Sequence, residues 1–209
     1  MNEQVYEIRS IETEVRAFES EDGTKRIVGI SPVFNQRSEL LWDFREVIEP
    51  QALDNVLEGA DVRARYNHSL ILGRTKNGTL TLEKNATGLR YEILINENDL
   101  EALAAYEKIK RGDVDGSSFA FTVPDGGDTW KQENGELIRF VHEIDRLLDV
   151  GPVDFPAYPQ STAAVRSKIQ EFQQLETEQA ASGGAEVRKA AARRRSLQIA
   201  AQKYPETKE

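Results

Sequence analysis

NGTLTLEKNATGLRYEILI, residues 77–95, decides the class of this fold. Leu80 and Leu82 alternate with polar residues ahead of EKNATG, and Leu89, Tyr91, Ile93 and Ile95 alternate behind it. Period two on both sides of a turn-rich segment predicts a β-hairpin with one buried face. The same texture extends in both directions, so residues 1–160 read as mostly β.

Upstream, Val5, Ile8 and Ile11 begin an extended stretch that reaches Ala17 and Phe18. The segment 19–24 is a turn, RIVGISPVF a second strand and FREVIEP (44–50) a short strand closed by Pro50. QALDNVLEG has helical spacing at Leu53, Val56 and Leu57, with Gly59 to end it. DVRARYNH (61–68) alternates again, and SLILGR after it reads as a turn. Downstream, Asn98 stands three residues before Glu101, a capping-box spacing that opens a helix. Leu100, Leu103, Ala104 and Ile109 form its apolar stripe, and Gly112 stops it. SSFAFTV (117–123) is a strand with Ser118, Ala120 and Thr122 on one face and Ser117, Phe119, Phe121 and Val123 on the other. TWKQENGELIRFVHEI reads as a hairpin turning at Glu133–Gly135. RLLDVGPVDFPAYPQS carries three prolines, which rule out a long helix.

From Ser161 the texture changes. Val165, Ile169, Phe172 and Leu175 recur at helical spacing, Ser182–Gly184 break the run, and residues 185–203 are rich in Ala and Arg. The expected organisation is a 1–160 domain and a helical or partly disordered 161–209 extension.

Composition narrows the chemistry. The 209 residues include no cysteine, which excludes disulfides, thiolate metal sites and Cys nucleophiles. His68 and His142 are the two histidines, so a three-His zinc site is excluded. No metal or organic cofactor is expected. No apolar run approaches the length of a membrane helix, and the first residues lack the pattern of a secretory signal, so work in a cytosol is expected. The net charge is −9; residues 161–209 carry +3 and residues 1–160 carry −12. An acidic body repels phosphates, so nucleic acid binding by that part is not expected.

Serine hydrolysis needs a hydroxyl, a base in hydrogen-bond reach and a group that orients the base. His68 stands at the end of a predicted strand. Ser118 follows a Gly-containing turn and starts another. Asp149 ends the apolar stretch RLLDV, where a buried carboxylate needs a donor such as an imidazole N–H. Taken singly, a strand-end histidine is more often a surface or core residue than a base, paired serines are more often turn residues, and Asp149 can simply cap a turn. No phosphate-binding glycine motif occurs, and no spacing singles out a carboxylate pair.

Taken together, several stretches resemble the phage prohead proteases, the capsid-maturation endopeptidases of tailed phages. They are RSIETEVRAF, GISPVFNQRSEL with FREVIEPQALD, RARYNHSLILGR, VDGSSFAF and LLDVGPVDFPAYPQSTAAV, over roughly residues 8–166. The family pattern has a His shortly before Leu-Gly-Arg, a Gly-x-Ser followed by alternating aromatic and small residues, and an acidic residue ahead of a Phe-Pro-Ala-x-Pro close. Order and spacing match together.

The resemblance implies a serine endopeptidase with a fold similar to the herpesvirus assemblin proteases: α+β, a mostly antiparallel β-barrel core with surrounding helices. It implies His68 as general base and Ser118 as nucleophile. Asp149 falls where the family usually has Glu, one methylene shorter. Herpesvirus relatives use a second His as third member, so His142 is the rival for that place. Ser117 and Ala120 stand where the commoner pattern has an aliphatic residue and Gly. The Gly73–Arg74 turn is the expected source of oxyanion donors or substrate contacts, with a structural arginine as the other reading.

The implied substrates are the scaffolding segment of the major capsid protein and the protease itself. The implied place of action is the assembling prohead in the host cytoplasm. Assemblin relatives depend on dimerisation, which makes a homodimer an expectation. The 161–209 extension reads as a handle for capsid or scaffold, or as a self-cleavage region, since its small-residue stretches suit protease entry. Two other readings share features with this one. An inactive capsid-assembly chaperone or scaffold shares the fold. A generic module for a basic partner shares the charge alone.

Overall fold

A computed structural model describes residues 6–155, together with Ile169, Gln170 and Gln174. The strands follow one another as β1 (Glu7–Glu12), β2 (Arg16–Glu19), β3 (Lys25–Val33), β4 (Phe44–Ile48), β5 (Arg63–Tyr66), β6 (Leu70–Arg74), β7 (Leu80–Lys84) and β8 (Gly88–Leu94). Helix α1 (Leu100–Arg111) is next, then β9 (Gly116–Thr122), β10 (Asp128–Glu133), β11 (Glu136–Val141) and β12 (Arg146–Val153). They form a five-stranded sheet in the order β1-β9-β12-β5-β6, a four-stranded sheet β2-β3-β8-β7 and a three-stranded sheet β10-β11-β4.

The hairpin of residues 77–95 is β7–β8, paired from Leu80 opposite Ile93 to Lys84 opposite Leu89. Leu80, Leu89, Tyr91 and Ile93 are buried, so the alternation marks the inner face. Opposite it lie Ala64, Phe119, Phe121 and Val150 of the five-stranded sheet. The β10–β11 hairpin turns at Asn134 and Gly135, both at positive φ, as a two-residue turn between twisted strands requires.

Helix α1 forms where the spacing predicts it, but its buried stripe is Ala102, Ala105, Tyr106 and Ile109. Leu100 is 81% exposed, and Ala104 faces solvent. The cap is Asp99, not Asn98: its carboxylate accepts from the N–H groups of Glu101 and Ala102. Gly112 closes the helix as expected. QALDNVLEG gives only a 3-10 turn over Pro50–Leu53. Nine residues containing Asp54 and Asn55 cannot repay helix nucleation. SLILGR is no turn; it contains strand β6, the edge of the large sheet.

The expected closed barrel is absent. A barrel needs its end strands to pair at a consistent stagger. Here the edge strand β6 leaves its sheet through a 3-10 turn at Thr75–Asn77 and enters β7 in the next one. The corner satisfies its own donors: Arg74 N–H bonds Thr79 Oγ1 and Gly78 N–H bonds Thr75 O. The edge is therefore left open. Two pairings, β11 with β4 and β12 with β5, are parallel, and the rest are antiparallel, as a mostly antiparallel body implies. The surrounding helices reduce to α1 and two 3-10 turns among the described residues. A helical tail over 161–209 is not supported either: apart from Ile169, Gln170 and Gln174, which have helical backbone, that segment lies outside the described residues.

Candidate active site

Strand β9 runs through the middle of the large sheet, between β1 and β12. Its side chains are buried throughout, and they divide by face. Ser117 turns into the core, where its Oγ lies 2.7 Å from the Tyr91 hydroxyl. Burial pushes the Tyr91 phenol up, so it stays a neutral partner. Ser118 turns the other way. Its Oγ lies 2.6 Å from His68 Nε2, and the residue is fully buried.

His68 reaches this position from a turn. Tyr66–Ser69 connects β5 to β6, with Asn67 at φ 51° and His68 at φ 55°, and Ser69 N–H donates to Tyr66 O at 3.1 Å. Two consecutive positive φ values make it a tight hairpin turn of the mirror-image type. Such backbone is uncommon outside glycine, and Asn and His are among the residues that tolerate it best. The turn is fastened to the end of β12: Asn67 N–H donates to Pro152 O at 3.1 Å, and Asn67 Oδ1 accepts from Asp154 N–H at 3.0 Å. Arg65 Nη1 donates to the His68 carbonyl at 3.1 Å.

Asp149 completes the chain of contacts, with Oδ1 2.7 Å from His68 Nδ1 and 6% of the residue exposed. A bulge aims it. Leu147 pairs with Phe121, but Asp149 pairs with Ala120, so Leu148 is an extra residue in the ladder. In a regular strand Leu147 and Asp149 would share a face. The bulge lets Leu147 enter the core while Asp149 joins the face of Ala120 and Ser118. Gly151, opposite Ser118, permits the close passage of β12 over β5: a Cβ there would stand 2.0 Å from the Arg65 carbonyl oxygen.

The other anticipated residues lie elsewhere. His142 is half-buried on the segment after β11, with Nε2 2.9 Å from Gly126 O. Both ring nitrogens of His68 are already engaged by Ser118 and Asp149. Gly73 and Arg74 are on the edge strand β6, with β5 and β12 between them and β9. Arg74 grips Asp61 through two hydrogen bonds of 2.6 and 2.7 Å, which hold the Asp61 carboxyl down at about 2. Arg74 N–H is spent on Thr79 Oγ1.

Two contacts on Ser118 have no motif behind them. Ser10, opposite Ser118 in β1, donates from Oγ to Ser118 Oγ at 2.9 Å. The Arg9 carbonyl stands 2.8 Å from the same Oγ. Strand β1 is held by a buried charge cluster. The Arg9 guanidinium bonds Glu46 at 2.8 and 3.0 Å and also pairs with Glu7. Arg139 bonds Glu7, Glu46 and Asp128, its shortest contacts being 2.7 Å. Burial alone would raise the Glu7 pKa, but Arg139 and then Arg9 outweigh it and hold the carboxyl below its usual range. No cluster of metal-ligating side chains occurs among the described residues, and no helix there is long and apolar enough to cross a membrane.

No curated protein and no solved structure matches the chain. The profile of the caudovirus prohead serine proteases matches residues 11–175, a span that takes in Ser118, His68 and Asp149. By that match over most of its length, the chain belongs to the caudovirus prohead serine proteases, a family that acts on the maturing capsid inside the prohead.

Proposed function

We propose that this chain is an active serine endopeptidase that cuts the scaffolding segment of the major capsid protein, and then itself, within the prohead. The observation that carries the reading is the unbroken run of short contacts from Asp149 through His68 to Ser118. With Nδ1–H donated to Asp149, the imidazole keeps an unprotonated Nε2 facing the Ser118 hydroxyl. Ser118 Oγ attacks the scissile carbonyl while its proton passes to His68 Nε2. Asp149 stabilises the resulting imidazolium without taking its proton. His68 then protonates the leaving amine, and later deprotonates the water that releases the acyl group.

Residues 161–209, with their net positive charge, act in this reading as the handle for capsid or scaffold and as the self-cleavage region. The test is intact mass spectrometry of the capsid protein co-expressed with the wild type or with Ser118→Ala. Discrete shortening with the wild type alone is expected. Identical capsid masses in both, with shells assembled and the chain packaged, would favour the inactive assembly protein instead.

A further inference from the structure

We propose that Ser10 is a further catalytic residue, whose hydroxyl supplies a hydrogen bond to the oxyanion formed at Ser118. The inference rests on Ser118 being the nucleophile.

Acyl transfer needs donors aimed at the oxygen that becomes negative. The backbone beside Ser118 has none to spare. Strand β9 is paired on both edges, with β1 from Glu7 to Glu12 and with β12 from Arg146 to Val153, so its N–H groups are committed to ladder bonds. The Gly73–Arg74 backbone is three strands away, and the Arg74 N–H is already bonded. Ser10 is the side-chain donor already placed on Ser118.

Proton counting around Ser118 Oγ gives the same answer. Ser118 has one hydrogen and two lone pairs. That hydrogen has two acceptors in reach, His68 Nε2 at 2.6 Å and Arg9 O at 2.8 Å, and with it on either one Ser10 O–H is the donor that fills a lone pair, at 2.9 Å. On attack, a Ser118 lone pair becomes the bond to the carbonyl carbon. The carbonyl π pair moves to oxygen, and the proton goes to His68. The new oxyanion and Ser118 Oγ then share one carbon. A hydroxyl that donated to Oγ needs only a rotation about its own χ1 to donate to the oxyanion. Ser10 also lines a cavity of about 610 Å³ beside β1, together with Ile11, Leu40 and Phe119, while Ser118 has no exposed surface.

The test uses a fluorophosphonate, whose phosphoryl oxygen stands in for the oxyanion. Ser118 Oγ bonds to phosphorus, fluoride leaves, and the proton passes to His68. Full-length Ser10→Ala is expected to form the adduct about 10²–10³-fold more slowly than wild type, the usual loss for one oxyanion donor. In capsid-peptide cleavage the loss should fall on kcat and leave KM unchanged. Ser10→Thr, which keeps the hydroxyl, should recover to within about tenfold. Ser10→Cys, similar in size but a poor donor, should lose most of the rate and serves if the alanine variant does not fold. Folded Ser10→Ala, or failing that Ser10→Cys, reacting at the wild-type rate would overturn the role of Ser10 and leave Ser118 as nucleophile. A wild type that never reacts, or a Ser118→Ala form that reacts equally, would overturn the nucleophile itself, and this inference with it.

Discussion

Asp149, buried and bonded to His68 Nδ1, is the residue on which the reading of the site is most exposed to test. Asp149→Asn keeps the shape but favours the wrong imidazole tautomer, and should cost about 10⁴ in kcat. Ser118→Ala, which removes the nucleophile, should cost more. His142→Ala, at a half-buried position whose ring bonds Gly126 O and not the triad, should cleave like wild type. Near-full activity in Asp149→Asn together with its loss in His142→Ala would reverse the assignment. At this scale the sequence was highly legible, because His68, Ser118 and Asp149 stand in family motifs. Ser10 was not: a serine in RSIETEV carries no signal until strand pairing sets it opposite Ser118.

Among the elements, β12 decides whether the three side chains meet. Its bulge at Leu148 turns Asp149 toward Ser118, and Gly151 lets the strand pass against the Arg65 carbonyl. A Cβ at Gly151 meets backbone, which cannot swing aside as a side-chain tip does. Gly151→Ala should therefore destabilise the protein by about 1–3 kcal/mol, the usual cost of overpacking. It should also lower kcat by parting Asp149 from His68. Urea unfolding and peptide cleavage on the same sample check both, and an unchanged midpoint would refute the close-approach argument. The bulge was illegible in the sequence. RLLDV reads as a plain apolar strand, and the extra residue exists only relative to the register of β9. The shift of the α1 stripe has a similar origin. Leu100 stands at the first helical position, and the neighbouring strands accept the face of Tyr106 and Ile109 instead.

Across the whole molecule, the charge cluster ties β1 to β4, β10 and β11 and so seats the strand that covers Ser118. Arg139 is 1% exposed and neutralises three acidic partners. Arg139→Ala removes a buried cationic partner from all three carboxylates, and should cost about 3–5 kcal/mol by chemical denaturation. A loss below about 1 kcal/mol would mean water reaches the cluster. The pH dependence follows from Glu7, whose folded pKa lies below its unfolded one. Its contribution to stability is full above the unfolded value, about 4.3, and is lost as pH falls through the folded value. The urea midpoint should thus decline on acidification below about pH 4. A flat midpoint down to about pH 3 would show that Glu7 gains nothing on folding.

The sequence by itself determined the β character of the body, the hairpins of residues 77–95 and 128–141, the existence of α1, and the family with its three polar residues. Those features are local: period-two alternation, turn residues and motif spacing are written in consecutive positions. Only the tertiary structure decided that the sheets stay open, that His68 sits at positive φ in a turn, that a bulge aims Asp149, and that Ser10 faces Ser118. Each of these depends on which strand lies beside which, and at what register. That choice is made by burial and pairing between segments up to 132 residues apart, such as Glu7 and Arg139, and no local pattern encodes it.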